Sequence, residues 1–255
     1  MKTEYFDYGF TAAVLADIGL QRPSNQDEVI ALPELGFFAV SDGMGGLSGG
    51  GIASAFVKRS LPEMIESCAK DWNELHRGAQ QVGEQLQDSI GIISDLLHEQ
   101  GNTERPYRYG ATIAGVLLYG GSALFVWLGD SRGYILRKGR MELEQITEDM
   151  NVAGRMVRAG EITKEEALTR PESCRLTAFI GMEPPAQTAL SITPIGRGDR
   201  ILLCSDGLYG MVPEPEIARL MRVGSDPEKV CRALIDRANE KGGEDNISAA
   251  YLHIL

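Results

Sequence analysis

Residues 110–146 read G-A-T-I-A-G-V-L-L-Y-G-G-S-A-L-F-V-W-L-G-D-S-R-G-Y-I-L-R-K-G-R-M-E-L-E-Q-I. Short apolar runs, rich in β-branched and aromatic residues, are separated by the turn pairs Gly120-Gly121 and Lys138-Gly139. That pattern belongs to strands joined by tight turns. It predicts strands over 111–119, 123–128, 134–137 and 141–146, following one another as a meander with no helix between them. Further strands are expected over 5–18, over 28–32 and 36–40 as a hairpin around Pro33-Glu34, and over 188–193, 200–204 and 246–255. Helical pattern lies elsewhere. The glycine-dense turn 43–51 opens a helical stretch, in which Pro62 is expected to begin a new helical turn rather than sit inside one. Residues 72–99 give the clearest helix: Leu75, Ala79, Val82, Leu86, Ile90, Ile93 and Leu97 fall on one face,. The seam is too short for a coiled coil and reads as a helix laid on a sheet. Residues 213–222 and 226–240 each open with acid and proline, as a helix start should, and 149–186 read as a small helical insertion. Because strand runs and helical runs are segregated, the class is α+β, a layered sandwich rather than a doubly wound parallel sheet. No linker interrupts the chain, which predicts a single domain over 1–255.

The composition narrows the function. The chain has 255 residues, with 36 acidic and 25 basic side chains and a formal charge of −11. A nucleic-acid binder or a basic membrane anchor needs the opposite sign. Apolar content of 43% is that of a globular protein,. Cys68, Cys174, Cys204 and Cys231 are scattered, without a C-x-x-C or a nearby histidine, which argues against a zinc site and a disulfide framework,. Cys204, in an apolar run, reads as a buried thiol. The first ten residues lack the apolar core of a signal peptide, and no apolar run reaches the ~18 residues of a membrane span. The expected location is the cytoplasm.

Some of the acid is placed for chemistry. The segments G-F-F-A-V-S-D-G-M-G-G at 36–46 and R-I-L-L-C-S-D-G-L-Y-G at 200–210 are both apolar strands ending in Ser-Asp-Gly. A third apolar strand ends at Asp130, and a fourth begins after Asp245. Any one Asp-Gly is a turn signal. Asp42, Asp130, Asp206 and Asp245 converging on one sheet edge would repel one another and raise each other's pKa; a bound cation removes that penalty. An all-oxygen set selects a hard ion, Mg²⁺ or Mn²⁺, over zinc. Gly43 lets a carbonyl approach such an ion. Two ions sharing a carboxylate suit attack on a phosphorus ester, and Arg22, in G-L-Q-R-P-S-N-Q-D at 19–27, offers a guanidinium fork for phosphate oxygens,.

These segments occur in a fixed order: G-x-x-R-x-x-N-Q-D at 19–27, V-S-D-G-M-G-G at 40–46, G-A-T at 110–112, L-G-D-S-R at 128–132, T-E-D at 147–149, C-S-D-G-L at 204–208 and E-D-N-I-S at 244–248. The ordered set resembles the metal-dependent protein phosphatase family (PPM, type 2C) in its compact bacterial form, over nearly the whole chain. The resemblance implies a four-layer α/β/β/α sandwich of two antiparallel sheets flanked by helices. It implies hydrolysis of phosphoserine and phosphothreonine in proteins by a metal-bridging hydroxide, with no phosphoenzyme and with two Mn²⁺ or Mg²⁺ ions. By position, Asp42 resembles the bridging ligand, Gly43 the carbonyl ligand, and Asp206 and Asp245 ligands of the first ion. Asp27 resembles a ligand acting through water, Asp130 with Asp206 the pair that holds a third, weaker ion, and Arg22 the phosphate clamp. Residues 149–186 correspond to the family's variable flap. The expected partners are phosphorylated substrates of a serine/threonine kinase, met by a monomer, with no nucleic acid or membrane.

The sequence departs from the family pattern in three places. Met44 stands where many eukaryotic members carry a histidine proposed to protonate the leaving group, so a metal-bound water would have to serve. Gln26 replaces the more usual glutamate, and Met150-Asn151 replaces the common His-Ser/Thr after T-E-D. The other classes weighed are a nucleotide-binding module, which lacks both G-x-G-x-x-G and Gly-Lys-Ser/Thr, and a serine hydrolase, which lacks G-x-S-x-G and whose His76 and His98 are expected to face solvent. A catalytically weak phosphoprotein-binding relative would not need the intact aspartates. An enzyme serving one dedicated anti-sigma-type partner reads the same as a broad phosphatase.

Overall fold

Along the strand Phe37–Met44, Phe37 and Ala39 pack into one core while Phe38 and Val40 pack into another, all four sealed from solvent. A strand apolar on both faces has to lie inside a stack of layers. The computed structural model describes residues 1–74, 77–101, 109–183 and 185–255, with backbone alone at 46–48, 73–74 and 101. In chain order the elements are β1 (Phe10–Asp17), β2 (Asp27–Leu32), β3 (Phe37–Met44), α1 (Gly46–Glu74), α2 (Ala79–Gly101), β4 (Gly110–Ala111), β5 (Ile113–Tyr119), β6 (Ser122–Leu128), β7 (Arg132–Leu136) and β8 (Glu144–Gln145). There follow α3 (Val152–Arg158), α4 (Lys164–Leu168), a 3-10 turn (Pro171–Cys174), β9 (Ala189–Pro194), β10 (Arg200–Cys204), α5 (Asp206–Tyr209), α6 (Glu214–Val223), α7 (Pro227–Glu240) and β11 (Ile247–Ile254).

Among the described residues the strands form two sheets, ordered β1-β11-β10-β7-β8 and β2-β3-β5-β6-β9, with β4 beside β3 and every pairing within the ladders antiparallel. The core between the sheets joins Phe38, Val40, Ala114 and Val116 to Phe10, Ile201, Leu203 and Leu252. A second core lies between β3, β5 and β6 and the helices α1 and α2, around Phe37, Leu61, Ile65, Trp72, Leu86 and Ile90. A third lies between β7, β10 and β11 and the helices α6 and α7. The result is the expected helix–sheet–sheet–helix sandwich.

Four local expectations are corrected. Pro62 lies inside α1, which runs through it; Leu61 and Ile65 on either side are buried, and that packing offsets the ~3 kcal/mol an interior proline costs. The helix read over 72–99 is two helices. α1 runs to Glu74 and α2 starts at Ala79, and the chain doubles back so that the Trp72 indole donates to the Gln85 side chain at 2.9 Å. Ala79, Val82, Leu86, Ile90, Ile93 and Leu97 do pack into the core, while Leu75 and His76 lie outside the described residues. The meander is split: β6 pairs with β5 and β9, but β7 pairs with β10 in the other sheet. The crossing occurs at 129–131, where Gly129 takes φ +111°, a conformation that L side chains rarely adopt. Finally, His98 does not face solvent; its ring nitrogens meet the Gly181 carbonyl at 3.2 Å and the Glu183 carboxylate at 3.1 Å. Cys204 is buried as expected, and all four cysteines are free. No helix among the described residues is long and apolar enough to cross a membrane.

Candidate metal and phosphate site

Two sheets place five aspartates at one end of the sandwich. Asp27 opens β2 and stands opposite Asp42 in the β2–β3 ladder. Asp42 is held by Thr112 in both directions: the Asp42 N–H donates to Thr112 Oγ1 at 3.1 Å and the Thr112 N–H donates to the Asp42 carbonyl at 2.8 Å. Ser41 adds a hydroxyl bond to the Thr112 carbonyl. Asp206 opens α5 directly after β10. Behind it the Ser248 N–H donates to Ser205 Oγ at 2.9 Å, locking β10 to β11. Asp245 precedes β11 and accepts from the Asn246 N–H at 2.8 Å. Asp130 sits where the chain crosses between the sheets; its carbonyl accepts from Tyr209 Oη at 3.0 Å and its carboxylate from Asn151 Nδ2 at 3.0 Å.

The electrostatics of this cluster are unfavourable without a counter-charge. Burial pushes Asp27 and Asp130 up to about 7 and Asp206 to about 6, with neighbouring carboxylates adding to each rise. Asp42 is raised well above the usual carboxylate range, by burial first and then by Asp27, Asp206, Asp130 and Asp245. The Ser205 and Ser248 hydroxyls moderate the rise at Asp27, yet neither closes a hydrogen bond of good geometry. Both Asp27 carboxylate oxygens and Asp206 Oδ1 are therefore buried with no partner. Buried polar atoms are rarely left so, and a hard cation satisfies all of them. Among the described residues no three His, Cys, Asp or Glu side chains close into a tight cage. Mg²⁺-type ions suit such an open site, since they keep much of their water. The donor set fits the implied metal.

Arg22 lies at the rim, about half exposed, with its Nη2 on Asp245 Oδ2 at 2.7 Å. Its loop is pinned by Asn246, whose side chain accepts from the Gln26 N–H and donates to the carbonyls of Ile18 and Ser24. Gly43 has a reason to be glycine besides any ligand role: a Cβ there would run into the backbone of Gly50 on α1.

The structure thus brings all the sequence-predicted aspartates and Arg22 together. Sequence reading assigned no role to the polar residues that hold them: Thr112, Ser205, Asn246, Asn151 and Tyr209. Several stand inside the quoted segments, and their signal was the segment rather than the residue type. The pair Arg132–Asp149 was missed in the same way. Arg132, buried, forks onto Asp149 at 2.9 and 2.7 Å and lies over the Tyr209 ring.

A family model described as Protein phosphatase 2C matches residues 22–246. The serine/threonine phosphatase stp of Listeria innocua is 31% identical over 212 residues, covering 82% of this chain and 81% of its own length. Among solved structures, the serine/threonine phosphatase Stp1 from Staphylococcus aureus superposes with a TM-score of 0.85 at 27% identity, covering 100% of this chain and 99% of that one. The catalytic domain of the serine/threonine protein phosphatase PstP, solved with two manganese ions, gives a TM-score of 0.76 at 28% identity, covering 96% of this chain and 98% of that one.

Proposed function

The chain belongs to the protein phosphatase 2C family and is a metal-dependent serine/threonine protein phosphatase, and from that premise we propose the division of labour within its site. Two divalent ions, Mn²⁺ or Mg²⁺, would be held by Asp42, Asp206, Asp245 and the Gly43 carbonyl, with Asp27 acting through water, and Asp130 with Asp206 would hold a third more weakly. When bound, such ions neutralise the carboxylates and activate water for in-line attack at phosphorus. Arg22 binds the phosphate oxygens by its fork, orienting the ester for that attack. Arg22 Nη2 lies on Asp245 Oδ2, so binding phosphate exchanges that carboxylate for the substrate's oxygens. Met44, at the end of β3, has no proton to give, and the leaving alkoxide takes its proton from water.

One observation carries this reading: Asp27 and Asp206, from different sheets, have buried carboxylate oxygens without protein partners in a cluster that also contains Asp42. We further infer one catalytic domain with 149–186 as its flap, phosphoserine and phosphothreonine proteins modified by a serine/threonine kinase as substrates, a monomeric state and a cytoplasmic location. The test is a divalent-ion titration on a phosphopeptide panel and on a small aryl phosphate. Phosphate release should require Mn²⁺ or Mg²⁺ and saturate with it. Release unaffected by chelation would overturn the assignment.

A further inference from the structure

Within 149–186, residues 152–175 leave the sandwich and return to it through a short stem, and Ile180 is back in the sheet–helix core, paired with Ala111. The Val152 N–H donates to the Arg175 carbonyl at 2.9 Å, and the Thr177 N–H to the Met150 carbonyl at 2.7 Å. Three consecutive stem residues are bonded to the segment where the chain crosses between the sheets. Asp149 takes the Arg132 fork, the Met150 N–H donates to the Gly129 carbonyl at 3.0 Å, and Asn151 donates to Asp130. Only the last of these contacts reaches a carboxylate of the site.

Asn151 is buried, and both ends of its amide are used. Its Oδ1 accepts from the Gly154 N–H at 2.7 Å and caps α3; its Nδ2 donates to Asp130 Oδ2 at 3.0 Å. The orientation is fixed by chemistry, because the backbone N–H needs an acceptor and the carboxylate needs a donor. A planar amide joining them ties the first helix of the excursion to one Asp130 oxygen. The serine or threonine expected at this position could cap the helix, but its hydroxyl is too short to span to Asp130 as well.

We propose that Asn151 is a positioning residue that couples the seating of α3 to the orientation of the Asp130 carboxylate, so that an ion at Asp130 and a seated α3 favour each other. This rests on the reading that Asp130 holds the weaker third ion. Coupling of this kind is reciprocal: the ion protects α3, and a seated α3 tightens the ion.

The test uses Asn151→Ser, which keeps an N-cap oxygen and removes the tether, with Asp130→Ala as control. Mn²⁺ binding to the metal-free protein is followed by calorimetry, and hydrogen exchange is measured over residues 152–158 with and without Mn²⁺. In the wild type, Mn²⁺ should slow exchange across α3. In Asn151→Ser the two tighter ions should bind unchanged. The weakest should lose roughly 10–100-fold in affinity, the range for residues supporting a metal ligand, and α3 should no longer respond to Mn²⁺. Wild-type affinity together with a retained response in Asn151→Ser would overturn the tether. If Asp130→Ala leaves the Mn²⁺ stoichiometry unchanged, the third-ion reading fails, and the proposal falls with it. If Asp130→Ala loses an ion while Asn151→Ser behaves as wild type, only the tether fails.

Discussion

Ser41-Asp42-Gly43 and Ser205-Asp206-Gly207 are the same tripeptide at the end of the same kind of strand, yet they fold differently. β3 stays extended through Asp42 to Met44, because β2 pairs with it as far as Asp27–Asp42 and β4 extends the ladder at Gly43–Ala111. β10 stops at Cys204, and Asp206 becomes the first residue of a helix, because β11 ends its pairing at Ala249–Cys204 and Ser248 takes the Ser205 hydroxyl instead. The glycines are required for the same physical reason on different surfaces. A Cβ on Gly43 would strike Gly50 of α1, and one on Gly207 would strike the Asn246 carbonyl. The tripeptide supplies a small hydroxyl, a carboxylate and a close approach. The neighbouring strands decide how each is aimed, and both routes end in one cluster: Asp42 interacts with Asp27, Asp130, Asp206 and Asp245, and Asp206 with Asp27, Asp42, Asp130 and Asp245.

The largest effects test whether the two differently folded tripeptides serve one cluster. Asp42→Asn and Asp206→Asn should each cut Mn²⁺-stimulated hydrolysis by more than the ~10–100-fold typical of residues that only support a metal ligand. Calorimetry should show both variants losing bound Mn²⁺, since each carboxylate is assigned to two ions; unchanged Mn²⁺ binding in either would remove that carboxylate from the site. Next in size, Gly43→Ala and Gly207→Ala should each lower stability by about 1–3 kcal/mol through overpacking, read by thermal unfolding without metal. A neutral Gly43→Ala would show that α1 shifts freely over β3. Arg22→Ala should raise KM for phosphopeptides by about tenfold, the ~1.4 kcal/mol scale of a charge-assisted contact, with Mn²⁺ affinity little changed. An unchanged KM would remove Arg22 from phosphate binding.

A separate test, on stability rather than turnover, is the pH dependence of the metal-free protein. Asp27, Asp130 and Asp206 are raised from about 3.8 to between 6 and 7 when folded, so between pH 4 and 7 the native state binds more protons than the unfolded chain. Stability is fully present below about pH 4 for these groups and is lost as pH rises through 6 to 7. The metal-free midpoint should therefore be several degrees higher at pH 5.5 than at pH 8, at ~2–4 °C per kcal/mol for a chain of this size. Saturating Mn²⁺ should raise the pH 8 midpoint most. A metal-free midpoint that climbs from pH 5.5 to 8 would contradict the cluster's electrostatics.

The apolar periodicities of β3, β10 and α2, and the segregation of strands from helices, are properties of the residues themselves. The layered α+β class and the candidate aspartates were legible from them, while the two sheets and the four layers followed only from the family resemblance that the ordered motifs carry. Helix continuity was less so. Proline at 62 reads as a break by its own chemistry, and only burial of Leu61 and Ile65 carries the helix across it. The turn near residue 77 was hidden because the apolar spacing runs on unbroken through it. Sheet membership was not legible at all: β6 and β7 look like neighbours in a meander, and nothing in their side chains says which sheet each joins. The amino-acid sequence by itself determined which residues could bear the chemistry, since residue type fixes charge, donor count and strand period. The tertiary structure alone decided how they meet. The crossing at Gly129, the Asn151 amide and the Asn246 pin are contacts between segments 20 to more than 200 residues apart, and the energy that selects such contacts comes from burial and hydrogen-bond closure in the folded chain.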